Sequence, residues 1–392
     1  MNAASQKARV YLDWNATAPL LPEARQAMLA AFDLAGNPSS PHGEGRKARA
    51  LIEASRERVA AAFGAAARQV TFTSGATEAA NWVLTPAIAT GRQHAPVDAL
   101  LVGATEHACV LTGHRFAPDR VELARVDAQG LVDVAALEAR VAALSGQHGA
   151  GRVMVAIQAA NNETGVVQPI ARIAEALKPH SAVLVCDAVQ AAGRIAVPAE
   201  ADIVFVSGHK IGGPKGVGAV IVRNDDLAPE PLLKGGGQEK RQRAGTENIA
   251  AIAGFAAALG CVQARQGETG THTKSLQGQL EAGLAAIDGE TVIFGAEAPR
   301  LDNTTCFAVP GVPAETALIA LDMAGIAVSS GAACSSGKVA SSHALAAMGI
   351  PHDLARCALR ASTGPMTTAR DIGIFLDAWR AFLDRRAVRA VA

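Results

Sequence analysis

Short apolar runs that favour strands alternate with alanine-rich amphipathic stretches that favour helices along most of this chain. Parallel strands need helical crossovers, so the alternation predicts an α/β fold with a mostly parallel sheet enclosed by helices. From about Gly254 the helical stretches lengthen and the strands become fewer and shorter. We therefore expect a large domain over 18–255 and a smaller α/β domain over 256–392, since 392 residues exceed the usual size of one core. The clearest apolar runs are residues 70–73, 100–102, 153–157, 182–186, 202–206 and 219–222.

The charge pattern argues against some classes of partner. Lysines and arginines number 36, as do aspartates and glutamates, and no polybasic run or basic helix stands out. We expect neither nucleic acid nor a membrane surface as a partner. The first residues lack the apolar segment of a signal peptide, and the apolar stretch 249–262 is too short and too glycine-broken to span a bilayer. These features predict a cytoplasmic protein.

A lysine and an aspartate follow two of the apolar runs. Residues 202–206 lead into Ser207-Gly208-His209-Lys210 and a glycine-rich turn, and residues 182–186 lead into Asp187. A lysine partly desolvated at the end of a buried strand has a lowered pKa and can attack a carbonyl, whereas a lysine taken alone is more often a surface residue. Pyridoxal 5'-phosphate needs a lysine for its aldehyde, as a Schiff base, and a carboxylate for its pyridine nitrogen. The pair Lys210 and Asp187 therefore predicts this cofactor.

Polar groups also follow the other predicted strands. Residues 74–78, Ser-Gly-Ala-Thr-Glu, open a helix whose N-terminus favours a phosphate, although their side chains could equally be helix caps. His107 could stack on a flat heteroaromatic ring and exchange protons, or serve as a hydrogen-bonded structural residue. Asn162 could equally hold a turn together. Because α/β sheets bind ligands beyond the carboxyl ends of their strands, we expect these groups to share one site.

One cysteine lies in a segment of small residues. The six cysteines include no Cys-x-x-Cys pair, which disfavours a disulfide framework and a zinc site and suggests that most are buried. Cys334, in contrast, lies within Ser329 to Gly337, where small residues predict an exposed, mobile loop. We interpret Cys334 as a mobile nucleophile rather than an incidental thiol, because exposed thiols are oxidation liabilities. Arg360 could clamp an amino-acid carboxylate or be a plain surface arginine.

Five motifs occur in order over nearly the whole chain. They are Thr-Ser-Gly-Ala-Thr-Glu (73–78), Thr-Glu-His (105–107), Asn-Asn-Glu-Thr-Gly (161–165), Val-Ser-Gly-His-Lys-Ile-Gly-Gly-Pro-Lys-Gly (206–216) and Ser-Ser-Gly-Ala-Ala-Cys-Ser-Ser-Gly (329–337). Together they resemble the cysteine desulfurases of the nitrogenase-maturation and iron–sulfur-cluster type. That family is a class V branch of the aminotransferase-like pyridoxal phosphate enzymes of fold type I.

The resemblance implies roles for individual residues. It places segment 1–17 near the active-site mouth, and it implies a homodimer because Thr246 would reach the cofactor phosphate of the partner. The implied catalytic residues are Lys210, Cys334, His107 and Asp187. The implied cofactor contacts are Ala76, Thr77, His107, Asn162, Asp187, Gln190, Ser207, His209, Lys210 and Thr246, and the implied substrate contacts are Asn15, Asn162 and Arg360.

The implied reaction removes sulfur from L-cysteine and leaves L-alanine. Lys210 or His107 would remove the α proton, and the Cys334 thiolate would take the sulfur as a persulfide and donate it to an acceptor protein, such as an iron–sulfur scaffold or another sulfur carrier. The chain departs from the family at Val189, where Ser or Thr is common, and in a short C-terminus, which leaves scaffold docking open. Three alternatives remain: a selenocysteine lyase, a small-amino-acid aminotransferase, and an idle cofactor-binding scaffold for sulfur-relay partners.

Overall fold

Strands and helices alternate along the chain in a computed structural model, which describes residues 9–90, 97–147, 152–197, 199–330 and 342–391. The strands are β1 (Val10–Tyr11), β2 (Val70–Thr73), β3 (Ile88–Thr90), β4 (Val97–Gly103), β5 (Val121–Ala124), β6 (Arg152–Gln158), β7 (Val183–Asp187), β8 (Ile203–Ser207), β9 (Gly218–Val222), β10 (Leu227–Pro229), β11 (Val292–Ile293), β12 (Thr304–Ala308), β13 (Ile326–Ala327), β14 (Ser329–Ser330) and β15 (Leu359–Ser362). The α-helices are α1 (Pro22–Phe32), α2 (Gly43–Ala62), α3 (Ala76–Val83), α4 (Ala108–Leu111), α5 (Val134–Gln147), α6 (Ile170–Leu177), α7 (Ile249–Ala264), α8 (Gln266–Ile287), α9 (Ala314–Met323), α10 (His343–Ala347), α11 (His352–Ala355) and α12 (Ala369–Val391).

A seven-stranded sheet carries the site, with the strand order β2-β9-β8-β7-β6-β4-β5. The pairs from β8 through β5 are all parallel, whereas β9 runs antiparallel to both β8 and β2. The predicted mostly parallel sheet is therefore confirmed, with one reversed strand. Strands β7 and β8 are buried along their whole length because helices cover both faces of the sheet, which explains their continuous apolar sequences.

A second, four-stranded antiparallel sheet has the order β11-β12-β15-β14. Its core is aromatic: Phe307 of β12 meets the ring of Trp379 of α12 edge-on at 5.6 Å, and Phe375 stacks parallel to Trp379. The chain thus has a large α/β unit and a smaller C-terminal one, as the sequence predicts. The residue at which one gives way to the other, placed at 255 by the sequence, stays a prediction.

The N-terminal segment contributes a short strand that pairs with a distant part of the chain. Its first residues, β1, pair in parallel with β13, more than 300 positions later, through Val10 with Ile326 and Tyr11 with Ala327. This pairing forms a separate two-stranded sheet. A parallel bridge between Asp13 and Ser362, the last residue of β15, ties the segment before α1 to the smaller sheet.

Within the described residues, no single helix is both long and apolar enough to cross a bilayer. Helices α7 and α8 taken together have the length and composition of a membrane span, but a bend of 72° separates them.

Candidate active site

A cavity of about 620 Å³ opens at the carboxyl ends of the central strands. Strands β6, β7 and β8 lie side by side and end at Gln158, Asp187 and Ser207, so the residues that follow them converge on one place. Nine of the residues predicted from the sequence line this cavity: Ala76, Thr77, His107, Asn162, Asp187, Gln190, Ser207, His209 and Lys210.

Lys210 follows β8 in a short turn, where its amine is mostly removed from water. Its Nζ donates to the backbone oxygens of Asn15 at 2.7 Å and Ala16 at 3.0 Å. Burial, followed by the nearby positive charges of Arg360 and Arg194, lowers the pKa of Lys210 to about 8. The amine is therefore neutral far more often than that of an ordinary lysine, which is the state that attacks a carbonyl.

Asp187 is the last residue of β7 and is 8% exposed. Its Oδ1 accepts the N–H of Val189 at 2.8 Å, and Oδ2 has no hydrogen bond within the described residues. Burial raises the pKa of Asp187 to about 6, against the opposing effects of that hydrogen bond and of Lys210. A protonated pyridine nitrogen is the kind of cation that would stabilise this buried carboxylate, so Asp187 and Lys210 fit the two ends of pyridoxal phosphate that the sequence assigns to them.

The phosphate end of the cavity lies at the start of α3. The N-cap residue is Gly75, with φ of 152° and no side chain to cap the helix. Glu78, in the first turn of α3, reaches back to accept the N–H of Ser74 at 2.8 Å and pairs with Arg243 at 2.9 Å, so its side chain caps no first-turn N–H of the helix. The first-turn N–H groups and the hydroxyls of Thr77 and Ser207 are left facing the cavity, an arrangement that suits a phosphate.

His107 lines the same cavity from the start of α4. Its Nδ1 accepts the N–H of Cys109 at 3.1 Å, so the proton of the neutral ring belongs on Nε2. Burial, followed by the charges of Lys210 and His343, lowers the pKa of His107. The ring is therefore neutral at neutral pH and able to take up or pass on a proton.

The amide of Gln190 is held at both ends. Its Nε2 donates to the backbone oxygen of Asn15 at 3.1 Å, and its Oε1 accepts from Nη1 of Arg194 at 2.6 Å. Arg194 thereby fixes which way the amide points. Arg194 was not predicted from the sequence. Its position four residues after Gln190 could have indicated that the two side chains are in contact.

Two predicted substrate contacts lie behind the cavity wall. The Asn15 side chain is fully buried and donates to the backbone oxygen of Asn162 at 3.2 Å and to Oγ1 of Thr304 at 2.9 Å. Arg360 donates to the same Asn162 oxygen at 2.9 Å and pairs with Asp13 at 2.8 Å. Neither residue lines the cavity, so their substrate roles stay predictions.

Two further predicted residues are not brought to the cavity by the described part of the chain. Thr246 is exposed and does not line it. Cys334 falls within 331–341 and so lies outside the described residues. Three of the other cysteines, Cys186, Cys306 and Cys357, are buried free thiols as predicted.

Sequence reasoning also missed two groups beside His107. Glu106 is 1% exposed and its Oε1 accepts the N–H of Gln158. Burial, followed by the nearby charge of Asp187, raises the pKa of Glu106 well above its usual range, which favours the protonated acid. Cys109 lines the cavity with a thiol whose pKa burial raises to about 12. Glu106 could have been predicted from its position in the Thr-Glu-His motif, but only the histidine of that motif was assigned to the site.

Comparison with known proteins identifies the relatives of this chain. The family model described as Aminotransferase class-V matches residues 10–375. A cysteine desulfurase of Cereibacter sphaeroides is 39% identical over 390 residues, which is 96% of each chain. A cysteine desulfurase of Enterobacter agglomerans is 36% identical over 93% of this chain and 90% of its own. The solved NifS-like protein of Rickettsia africae has a TM-score of 0.85 at 34% identity and covers 96% of this chain and 99% of its own.

Proposed function

Because this chain belongs to the class V aminotransferase family, and within it to the pyridoxal phosphate-dependent cysteine desulfurases, we propose roles for its cavity residues in removing sulfur from L-cysteine. The observation that carries these roles is the shared cavity itself. It brings Lys210, with a lowered pKa, together with the buried carboxylate of Asp187 and the neutral ring of His107. The product left after sulfur removal is L-alanine.

Bound pyridoxal phosphate supplies an aldehyde for covalent attachment and a ring that withdraws electrons from the α carbon of the substrate. Lys210 provides the amine for that attachment. Asp187 would hold a proton on the ring nitrogen, and His107 would contact the ring. Ala76, Thr77, Ser207 and His209 would hold the phosphate, Gln190 would hold the phenolic oxygen, and Asn162 would contact cofactor or substrate.

Proton transfer falls to Lys210 and His107. With a pKa of about 8, Lys210 has a substantial neutral fraction near neutral pH and can accept the α proton of the substrate. The lowered pKa of His107 lets its ring carry a proton to or from the sulfur end. Arg360 and Asn15 are proposed to bind the substrate carboxylate, which would require Arg360 to share its guanidinium between the substrate and Asp13.

Cys334 is proposed to take the sulfur. Its thiolate forms an S–S bond to the substrate sulfur while the substrate C–S bond breaks, and the electron pair of that bond goes to the carbon fragment, which then gains protons to become alanine. Cys334 is left as a persulfide. This role rests on the resemblance around residues 329–337 and on relatives described as cysteine desulfurases.

The test compares L-cysteine turnover by the wild type, Cys334→Ala and Cys109→Ala in the presence of a reductant. We expect the wild type to release alanine and sulfide in equal amounts and Cys334→Ala to keep its bound cofactor but release almost none. Cys109→Ala is the matched control, because its thiol lies in the same cavity yet stays protonated. Equal release by Cys334→Ala and wild type would contradict the persulfide role and would favour a lyase that frees sulfur without this cysteine, whereas an aminotransferase would release neither product.

We also propose a homodimer in which Thr246 serves the partner's phosphate site. Its exposed position, away from the cavity of its own chain, supports this role. Mixing subunits of Lys210→Ala with subunits of Thr246→Ala tests it. Hybrid dimers regain one complete site if Thr246 acts on the partner, and they regain none if it acts within its own chain.

The domain division at 255, the cellular location and the sulfur acceptor are proposals as well. Five cysteines of the described residues are free thiols, which fits the reducing cytoplasm, and cell fractionation tests that location.

We propose a protein thiol or an iron–sulfur scaffold as the acceptor. Transfer of labelled persulfide sulfur to candidate proteins distinguishes the two.

A further inference from the structure

A second cavity of about 80 Å³ lies behind Lys210, which is the one residue that also lines the cofactor cavity. Its walls come from residues 192–195 and 210–212 of the large unit, from the junction of α7 and α8, and from residues 301–303 and 363–365 near the smaller sheet. At about 10–15 Å³ of such space per water-sized group, it holds roughly five to eight non-hydrogen atoms.

One wall of this cavity carries a positive charge without a counterion. Arg194 donates to the backbone oxygen and Oε1 of Gln190 at 2.7 and 2.6 Å, and to the backbone oxygen of Lys210 at 3.4 Å. All three acceptors are neutral, and no carboxylate of the described residues lies within ion-pair distance of Arg194. Burial, followed by the charge of Arg360, lowers the pKa of Arg194 to about 10. A desolvated guanidinium is stabilised by an anion, so Arg194 can bind a carboxylate here.

The same cavity also carries a carboxylate without a cation. Asp302 is half-buried, and it has neither an ion pair nor a side-chain hydrogen bond within the described part of the chain. Its Oδ2 is directed toward α8, 3.9 Å from the place where a Cβ on Gly270 would lie. Thr363, which is 3% exposed, lines the cavity and has a buried Oγ1 with no hydrogen-bond partner. A buried hydroxyl without a partner is costly, so it too is available to a ligand.

The remaining wall is apolar. It is lined by Leu21, Ile211, Val262 and Leu301, so a ligand with only charged groups would leave this apolar surface without a contact. Two other cations line the cavity, but Lys210 donates to the backbone oxygens of Asn15 and Ala16, and Arg265 pairs with Glu23. The cavity thus combines the unpaired charges of Arg194 and Asp302 with an unpartnered hydroxyl and a small apolar surface.

We propose that this cavity is a second binding site for a small zwitterionic amino acid. The carboxylate of the ligand binds Arg194, its ammonium group binds Asp302, and its short side chain lies against the apolar wall. A purely anionic ligand would be repelled by Asp302 and a purely cationic one by Arg194, whereas a zwitterion satisfies both charges. L-Alanine, the product of the reaction, has this chemistry and size, and L-cysteine shares it.

An occupant would act on the reaction through Arg194. This residue orients the amide of Gln190 and contacts the backbone of Lys210, and its charge is one cause of the lowered pKa of Lys210. A carboxylate bound to Arg194 offsets that charge, so an occupied cavity raises the pKa of Lys210. Inhibition by alanine should therefore include a part that added cysteine does not relieve.

The experiment titrates the cofactor-loaded enzyme with N,N-dimethylglycine in a calorimeter. This zwitterion has a tertiary amine, which cannot condense with an aldehyde, so the cofactor absorption band stays unchanged. We expect Asp302→Asn to weaken its binding by about tenfold or more, because a charge-assisted hydrogen bond is lost. Propionate, which lacks the ammonium group, should bind Asp302→Asn at least as well as wild type. Asp322→Asn, the same change on exposed α9, is the matched control.

Thr363→Val tests the hydroxyl separately and should weaken binding less than Asp302→Asn. Displacement of the probe by L-alanine from wild type, and by L-cysteine from Cys334→Ala, distinguishes product from substrate as the occupant. Absence of N,N-dimethylglycine binding, or equal affinity of wild type and Asp302→Asn, would overturn the proposal. Desulfurase activity of the same preparations is measured in parallel, so failure of this site and failure of the Cys334 mechanism give different results.

Discussion

Cofactor-free Lys210 is predicted to react as a neutral amine at a pH where ordinary lysines are almost entirely protonated. Its pKa is about 8 against the usual 10.5, chiefly because the side chain is removed from water and secondarily because Arg360 and Arg194 are close. Near pH 7 about one molecule in ten is neutral, compared with roughly one in three thousand for an unperturbed lysine. The expected gain in reactive amine is therefore on the order of 300-fold.

The assay follows the rate at which pyridoxal phosphate attaches to the cofactor-free protein between about pH 6 and pH 10, using stopped-flow absorbance. The protonated amine does not attack, so the rate should rise with pH and level off just above the pKa, near pH 8. Arg360→Gln removes a nearby positive charge, which stabilises the protonated amine, so its profile should shift to higher pH. Lys215→Gln is the control, since Lys215 lines the same cavity but is exposed.

A rate that still climbs through pH 10 would refute the reasoning, because it would mean that Lys210 remains solvated despite its place at the end of β8. An Arg360→Gln profile identical to wild type would refute only the contribution of that charge. If Lys215→Gln shifted the profile by the same amount, the pKa of Lys210 would depend on the overall charge of the cavity and not on the proximity of Arg360.

Three other predictions concern buried groups. Glu239 is almost fully buried and accepts from Arg56 at 2.6 and 2.8 Å, so Glu239→Gln should lower the free energy of unfolding by about 3–5 kcal/mol in urea denaturation. Glu53→Gln, at the more exposed end of the same arginine, should cost less than about 1 kcal/mol, and equal losses would contradict this account. Burial raises the pKa of Glu106 and favours its protonated form, so Glu106→Gln should hold the cofactor Kd within about threefold of wild type. Glu106→Ala should weaken cofactor binding further, and a Gln variant as weak as Ala would mean an ionised carboxylate. Burial raises the thiol pKa of Cys109 to about 12, so near pH 8 this cysteine should be alkylated far more slowly than a free thiol. Mass spectrometry measures the rate, and rapid labelling would show that burial does not protect the thiol.

The sequence by itself determined the α/β class and nine of the residues that line the cavity. Continuous apolar runs indicate strands covered on both faces, and parallel strands bring their carboxyl ends to one edge. Residues such as Asp187, Ser207 and Lys210 could therefore be assigned to one site from their places after such runs, and the structure puts all three in the same cavity. The family resemblance added Ala76 and Gln190, which a pattern of local periodicity does not mark.

Only the tertiary structure decided which polar groups are free and which are already paired. Asn15 and Arg360 are engaged by Thr304 and Asp13, and these contacts join residues roughly 290 to 350 positions apart. Burial, followed by the charge of Asp187 on another strand, raises the pKa of Glu106, and Arg194 is an unpaired cation because no carboxylate of the described residues folds against it. Charge state and hydrogen-bond satisfaction depend on burial and on neighbours distant in the chain, so they follow from packing and not from local sequence.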